Sequence, residues 1–114
     1  MYKLLTLLIL LSSYTCAYAH DGRDGWVTIT NYRLWSNTYN NPTIRIVARD
    51  SYYNPSNCKN SDSYMVSTSL TSDVQERIYS TLLASYFAKT SVRLYVSDNE
   101  CENKRPKVLT VVID

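Results

Sequence analysis

The chain has 114 residues, of which 45% are hydrophobic and 19% are charged, and its formal net charge at pH 7 is +2. This length suits one small domain and excludes enzymes whose active site lies in a cleft between two domains. The nearly even charge balance gives no electrostatic case for binding nucleic acid or an anionic membrane. With 2 Gly and 1 His, the composition also excludes a glycine-rich phosphate loop and most catalytic or metal-binding clusters.

The first 19 residues have the layout of a secretory signal peptide. Lys3 precedes an apolar run at residues 4–11, and a small-residue cleavage pattern follows at residues 17–19. The apolar run is far shorter than the ~20 residues that a membrane-spanning helix needs. We therefore expect a signal peptide at residues 1–19, a mature domain at residues 20–114 and a secreted or periplasmic location, with no membrane insertion.

The first predicted strand covers residues 26–35, whose sequence WVTITNYRLW is rich in β-branched and aromatic side chains. Val27 and Ile29 share one face, whereas Tyr32 and Leu34 fall on the other face by strict alternation. Such a change of phase predicts a bulge or a strong bend within the strand.

A turn rich in Asn follows, and four more short strands are predicted after it. They cover residues 43–49, 64–69, 92–97 and 108–113, with polar loops at residues 50–62 and 98–106. The strand at 43–49 alternates apolar and polar residues and is expected to be half-buried. The last strand is apolar on both faces, which predicts that both faces are covered.

One helix is predicted between the third and fourth strands. Ser72 is its predicted N-cap, and Gln75 three residues later completes a capping box. Apolar side chains then recur at helical spacing and predict a broad stripe facing the core: Val74, Ile78, Tyr79, Leu82, Leu83, Tyr86 and Phe87.

Three strands, a helix and two further strands are the element order of the OB-fold, a five-stranded Greek-key barrel. We therefore predict an all-β domain of this type, with one helix between strands three and four. In that barrel strands three and five are parallel neighbours. Cys58 and Cys101 lie just before these two strands, so the two thiols are expected at the same end of the barrel.

An even pair of cysteines in an exported chain indicates a disulfide, and we predict one between Cys58 and Cys101. A cross-link that closes a loop of ~43 residues stabilises a domain by roughly 3–4 kcal/mol in the chain-entropy model. The alternative is a pair of buried free thiols. Cys16 raises the alternative of a lipoprotein, but residues 13–15 do not fit a lipid-attachment site.

Catalysis is not predicted, and neither a cofactor nor a metal site is expected. His20 lies at the start of the predicted mature domain, where chains are usually mobile, and neither Cys58 nor Cys101 has a base partner. A glycosidase needs two carboxylates across a cleft, and the carboxylates here are scattered over loops and the helix. A basic stripe for nucleic acid is an alternative for the strand arginines (Arg45, Arg49 and Arg93), but secretion and the low net charge argue against it.

Aromatic side chains beside Asn-rich and Asp-rich loops permit a sugar-binding surface. The residues in question are Trp35, Tyr39, Tyr52 and Tyr53. Exposed Tyr without any binding role is the alternative.

Several short motifs resemble a family of toxin subunits. They are an Arg-Asp-Gly turn at residues 23–25, a VTIT strand, an Asn-Asn-Pro turn, a Ser-Thr-Leu-Leu helix segment and VRLYV at residues 92–96. In these and in element order, the chain is similar to the subtilase cytotoxin B subunit and to related pertussis-like AB5 toxin B subunits. The resemblance implies an OB-fold, a homopentameric ring, a separate A subunit and binding of sialylated glycans on host cells.

The resemblance also implies a sugar site. Asp24 matches an Asp of that family in the turn before the first strand, and Asp50 falls near another polar position of the family site. Val96 stands where the family has a Tyr. The glycan-binding residues predicted from both arguments are Asp24, Asp50, Trp35, Tyr52 and Tyr53. The alternative function is a stand-alone exported OB-fold protein that binds another protein.

Overall fold

The structure is a computed structural model that describes residues 25–37, 43–49 and 52–113. These residues form β1 (Trp26–Ile29), β2 (Tyr32–Asn37), β3 (Thr43–Ala48), β4 (Tyr64–Val66), α1 (Ser72–Ala88), β5 (Val92–Glu102) and β6 (Arg105–Val112). The strands make one sheet in the order β1-β5-β6-β4-β3-β2. The prediction of a mostly β domain with one helix is confirmed. The predicted signal peptide lies outside the described residues.

The predicted first strand is in fact two strands, so the helix follows the fourth strand and the predicted count of five is corrected to six. Ile29 ends β1 and Tyr32 begins β2, and both side chains are buried. Residues three apart on one strand face opposite sides of a sheet. The chain must therefore bend at Thr30 and Asn31 to keep both side chains in the core, which is the predicted change of phase.

The sheet is rolled. β1 and β2 lie at its opposite edges, although only two residues connect them along the chain. Such a short connection keeps the two edges close, so the sheet curls around the core. Neighbouring strands are antiparallel except β4 and β6, which are parallel. The most deeply buried large side chains are Tyr64, Ile29, Ile46, Leu82 and Leu94.

The cap of α1 is displaced by one residue from the prediction. Thr71, not Ser72, is the N-cap, and its hydroxyl accepts a hydrogen bond from the backbone N–H of Val74 at 3.2 Å. Gln75 does not complete a capping box, because its side-chain amide instead donates to the carbonyl of Leu70 at 2.8 Å. Two adjacent residues of suitable type made the sequence ambiguous at this point.

The core face of α1 is narrower than the predicted stripe. Its fully buried residues are Ile78, Leu82 and Ser85. Val74, Tyr86 and Phe87 are exposed, and Phe87 reaches 76%. The hydroxyl of Tyr32 donates to the carbonyl of Leu82 at 2.6 Å and ties the helix to β2. The described helix lacks the length and hydropathy of a membrane-spanning helix.

The predicted loop at residues 98–106 is instead the hairpin of β5 and β6. Asn103 and Lys104 connect the two strands with φ values of 52° and 66°. A two-residue turn with both φ values positive matches the twist of antiparallel strands, and Asn tolerates that conformation. Gly is usual at the second position of such a turn, so the Lys at this position gives no turn signal in the sequence.

The last strand, β6, is not covered on both faces as predicted. Val108 is fully buried, whereas Val111 and Val112 are half-buried and Thr110 is exposed. Val111 packs against the core cluster, whereas Thr110 faces solvent, so only one face of this part of β6 is covered.

The predicted disulfide between Cys58 and Cys101 is confirmed, with a Cα–Cα distance of 5.8 Å. β4 and β6 are parallel neighbours, as the prediction required, but Cys101 lies within β5 rather than in a loop. Asn54 holds the other end of the cross-link. Its Oδ1 accepts from the backbone N–H of Cys58 at 2.8 Å, and its Nδ2 donates to the Cys58 carbonyl at 3.0 Å.

Candidate functional site

Four outward-facing residues form a row across neighbouring strands. Trp35 on β2 pairs with Arg45 on β3, Arg45 pairs with Met65 on β4, and Met65 pairs with Lys107 on β6. Ile46, the next residue after Arg45, is fully buried in the core. Because side chains alternate along a strand, the row lies on the outer face of the sheet.

A groove of about 460 Å³ lies on this outer face. One side is bounded by the ends of β2 and β3, and the other by the turn between β5 and β6. Its walls carry one indole with amide, hydroxyl and guanidinium groups; the lining residues are Trp35, Ser36, Asn37, Thr43, Arg45, Met65, Asn103 and Arg105. Such walls suit a ligand that has many hydroxyl groups and some apolar surface.

Trp35 supplies the aromatic surface of the groove, and 48% of the residue is exposed. The guanidinium groups of Arg33 and Arg45 each lie 5.6 Å from the centre of its ring. Cation–π attraction of this kind restrains the ring, while about half of the residue stays exposed. The indole is therefore held in place and still open to a ligand.

Asp62 binds two arginines of the groove. Its Oδ1 accepts from Nε of Arg105 at 2.7 Å, and its Oδ2 accepts from Nη2 of Arg105 at 3.3 Å and from Nη2 of Arg45 at 3.2 Å. The hydroxyl of Ser63 accepts from Nε of Arg45 at 2.8 Å and donates to Asp62 at 3.2 Å. One carboxylate thus orients two guanidinium groups, and the cluster keeps one net positive charge.

The arginines hold the pKa of Asp62 at about 2, below its ordinary value. The hydrogen bond from Arg105 is the largest cause; the hydroxyl of Ser63 and the charge of Arg45 act in the same direction, whereas partial burial opposes them. Asp62 is therefore ionised throughout the physiological pH range, and the two guanidinium groups stay in their observed positions.

Replacement of Asp62 by Asn should lower the free energy of unfolding by about 0.5–1 kcal/mol at pH 7, because the carboxylate is half-exposed and solvent screens the pair. The folded pKa lies below the unfolded value of about 3.9. The contribution is therefore fully present above pH ~4, and it is lost as pH falls towards the folded pKa. Urea denaturation from pH 7 to pH 2 measures the difference between the two proteins.

Asp73→Asn is the matched control, because its ion pair with Arg77 at 3.6 Å is exposed on both sides. We expect the difference in free energy of unfolding between wild type and Asp62→Asn to become smaller as pH falls below 4. A difference that stays constant down to pH 2 would contradict the assigned role of Asp62.

Tyr52 lies beside the arginine–carboxylate cluster, as the charges of Asp62 and Arg105 both act on its hydroxyl. Burial, followed by the charge of Asp62, raises the pKa of Tyr52 to about 12. Its ring contacts Tyr64 with 5.1 Å between ring centres. Tyr53 does not line the groove; it is half-buried against the core, and its backbone N–H donates to the Tyr64 hydroxyl at 2.6 Å.

The structure brings only some of the predicted site residues together. Trp35 lines the groove and Tyr52 lies beside its charged cluster, whereas Asp24 and Asp50 lie outside the described residues. Sequence reasoning missed Asp62 and Arg105 as site residues. Arg45 was noticed as an outward strand position, but only the register of β3 against β2 and β4 shows that it meets Trp35.

The comparisons with protein-family models, curated proteins and solved structures found no match. Within residues 25–37, 43–49 and 52–113, no three His, Cys, Asp or Glu side chains cluster as metal ligands would. The groove combines an open indole with oriented hydrogen-bond donors.

Proposed function

We propose that the chain is an exported, non-enzymatic module that binds glycans in the groove beside Trp35. The observation that carries this proposal is the half-exposed indole with amide, hydroxyl and guanidinium groups around it. Sugar rings present apolar C–H faces and many hydroxyls, so their recognition needs aromatic surface next to hydrogen-bonding side chains. The disulfide is compatible with the oxidising compartment that a secreted or periplasmic protein reaches.

We also propose that the rolled sheet is an OB-fold barrel. When β1 and β2 are counted as one bent strand, the helix follows the third of five strands. OB-folds bind oligosaccharides and oligonucleotides on the face of strands two and three and in adjoining loops. β3 and β4 hold these positions in this count, and the turn residue Asn103 lies in the loop between strands four and five.

The resemblance to AB5 toxin B subunits extends the proposal to sialylated host-cell glycans, a homopentameric ring and a separate A subunit. Of the short motifs behind this resemblance, the described residues include Gly25, where the backbone requires glycine. Gly25 has a φ of 87°, and a Cβ there would lie 2.8 Å from the ring of Tyr95. Sedimentation of the purified protein tests the ring, since a monomer at micromolar concentration argues against a constitutive pentamer.

A second candidate function is an exported OB-fold protein that binds another protein. The observation that favours it is at the C-terminal end of α1, where Phe87 is 76% exposed and stacks on Tyr86 with 5.5 Å between ring centres. Exposed aromatic side chains of this kind are typical of protein interfaces.

A glycan array with the disulfide-bonded protein tests the proposed function. We expect Trp35→Ala to weaken binding of any array hit by about 30-fold, equivalent to about 2 kcal/mol for a buried aromatic contact. Trp35→Phe should keep part of the affinity, because a smaller aromatic face remains.

Phe87→Ala is the matched control, since it removes an exposed aromatic side chain outside the groove. Glycan binding that depends on Phe87 but not on Trp35 would contradict the proposed site. An array with no signal above background would remove the glycan proposal and favour a protein partner.

A further inference from the structure

A second groove, of about 470 Å³, lies at the other end of β2. Three cationic side chains line it, and they come from three different elements. Arg33 lies on β2, Arg49 directly follows β3, and Lys89 is the C-cap of α1. Asn31 and Tyr86 add neutral polar groups. Among the described residues, three cations and no carboxylate line this groove.

The positive charge is local rather than a property of the whole chain, whose net charge is only +2. Several carboxylates of the described residues lie elsewhere, such as Asp73 and Glu76 near the start of α1 and Glu100 and Glu102 on β5. Guanidinium groups bind carboxylate and sulfate through two hydrogen bonds, and an ammonium group adds a compact charge. Three cations that line one groove can therefore offer several hydrogen-bond donors to an anionic group.

Lys89 lies at the end of α1 that borders this groove. It adopts a left-handed backbone conformation with a φ of 58°, at a helix C-cap where glycine is favoured. A cation near a helix C-terminus interacts favourably with the helix dipole, which offsets part of the conformational cost.

The two grooves adjoin through Arg33. It lines the second groove, and its guanidinium lies 5.6 Å from the centre of the Trp35 ring in the first. Arg33 and Trp35 are two residues apart on one face of β2, a separation of about 7 Å along a strand. One oligosaccharide is long enough to occupy both grooves.

We propose that the groove of Arg33, Arg49 and Lys89 is an anion-binding subsite that receives the carboxylate or sulfate group of an acidic oligosaccharide whose neighbouring sugar lies on Trp35. This inference rests on the proposed function, which it deepens by locating a subsite that selects the acidic group of the glycan.

Nuclear magnetic resonance titration of the disulfide-bonded protein with inorganic sulfate, at constant ionic strength, tests the subsite without a glycan. Amide signals of Asn31, Arg33, Arg49 and Lys89 should shift together and saturate. The double variant Arg49→Gln with Lys89→Gly should abolish these shifts, and Lys89→Gly is compatible with the fold because glycine suits that conformation. Arg77→Gln, which removes an exposed cation elsewhere on α1, should leave the shifts unchanged.

Oligosaccharides that differ only in a neutral, carboxylated or sulfated sugar then test selectivity. Wild type should prefer an acidic member about tenfold over the neutral one. The double variant should lose this preference but still bind the neutral oligosaccharide. The acidic oligosaccharide that wild type binds better shows whether the subsite receives a carboxylate or a sulfate group. Two results would overturn the proposed subsite. One is sulfate-induced amide shifts near all cations of the protein, and the other is a preference for the acidic oligosaccharide that remains in the double variant. Sulfate binding without any glycan binding would instead keep the anion site and refute the proposed function.

Discussion

Replacing Cys58 and Cys101 together with Ala is expected to lower the free energy of unfolding by about 3–4 kcal/mol. The disulfide closes a 43-residue separation, and its main effect is to restrict the unfolded chain. This is a large share of the roughly 5–15 kcal/mol that stabilises a typical domain. Urea denaturation followed by tryptophan fluorescence measures the loss.

Native contacts should survive in this variant. The loop of Cys58 remains bound to the β5–β6 hairpin, because the Asn60 N–H donates to the Lys104 carbonyl at 2.8 Å and the Ser56 hydroxyl donates to the Ser97 carbonyl at 2.8 Å. The denaturant dependence should steepen as well, since the unfolded chain expands without its cross-link.

Wild type under reducing conditions is the control and should match the double variant. An unchanged urea midpoint would show that the cross-link contributes nothing to stability. A lower midpoint with an unchanged slope would place the effect in the folded state rather than in the unfolded chain.

Leu82→Ala is expected to lower the free energy of unfolding by about 2–5 kcal/mol. Leu82 is fully buried in the centre of the contact between α1 and the sheet. Alanine has the higher helix propensity, so the loss must come from the cavity and from the missing apolar contacts. Thermal unfolding followed by circular dichroism should show a decrease in Tm of at least about 10 °C.

Leu83→Ala is the matched control, because the same atoms are removed from a side chain that is only half-buried. We expect its effect to be about 1 kcal/mol, as a half-exposed site forms no closed cavity. Equal losses in free energy of unfolding for the two variants would mean that the helix packs with the broad face predicted from its sequence.

Local rules predicted the parts of the fold that depend on neighbours in the chain. The break in alternation between Ile29 and Tyr32 predicts the bend between β1 and β2, because period-two burial cannot continue through it. Element order and parallel pairing predicted that Cys58 and Cys101 meet. The Asn103–Lys104 turn was missed because a lysine occupies a left-handed position by tertiary constraint rather than by preference.

The candidate site was predictable only in part. Trp35 could be chosen from its aromatic character and its place beside a polar turn. Asp62 and Arg105 are 43 residues apart in the chain and meet because β4 and β6 are parallel neighbours. Arg33, Arg49 and Lys89 line one groove because the end of α1 packs beside β2, and because Arg49 is hydrogen-bonded to Asn31 just before β2. No local pattern encodes these distances.

By itself, the amino-acid sequence determined most element types, the bend and the pairing of two cysteines. Periodicity and turn chemistry are short-range properties of the chain, and an even number of cysteines in the predicted mature domain indicates a pair. Only the tertiary structure decided which face of α1 is buried, that residues 98–106 are a hairpin, and which charged side chains share a groove. Those features depend on helix packing and on cross-strand register, both of which join residues that are far apart in the chain.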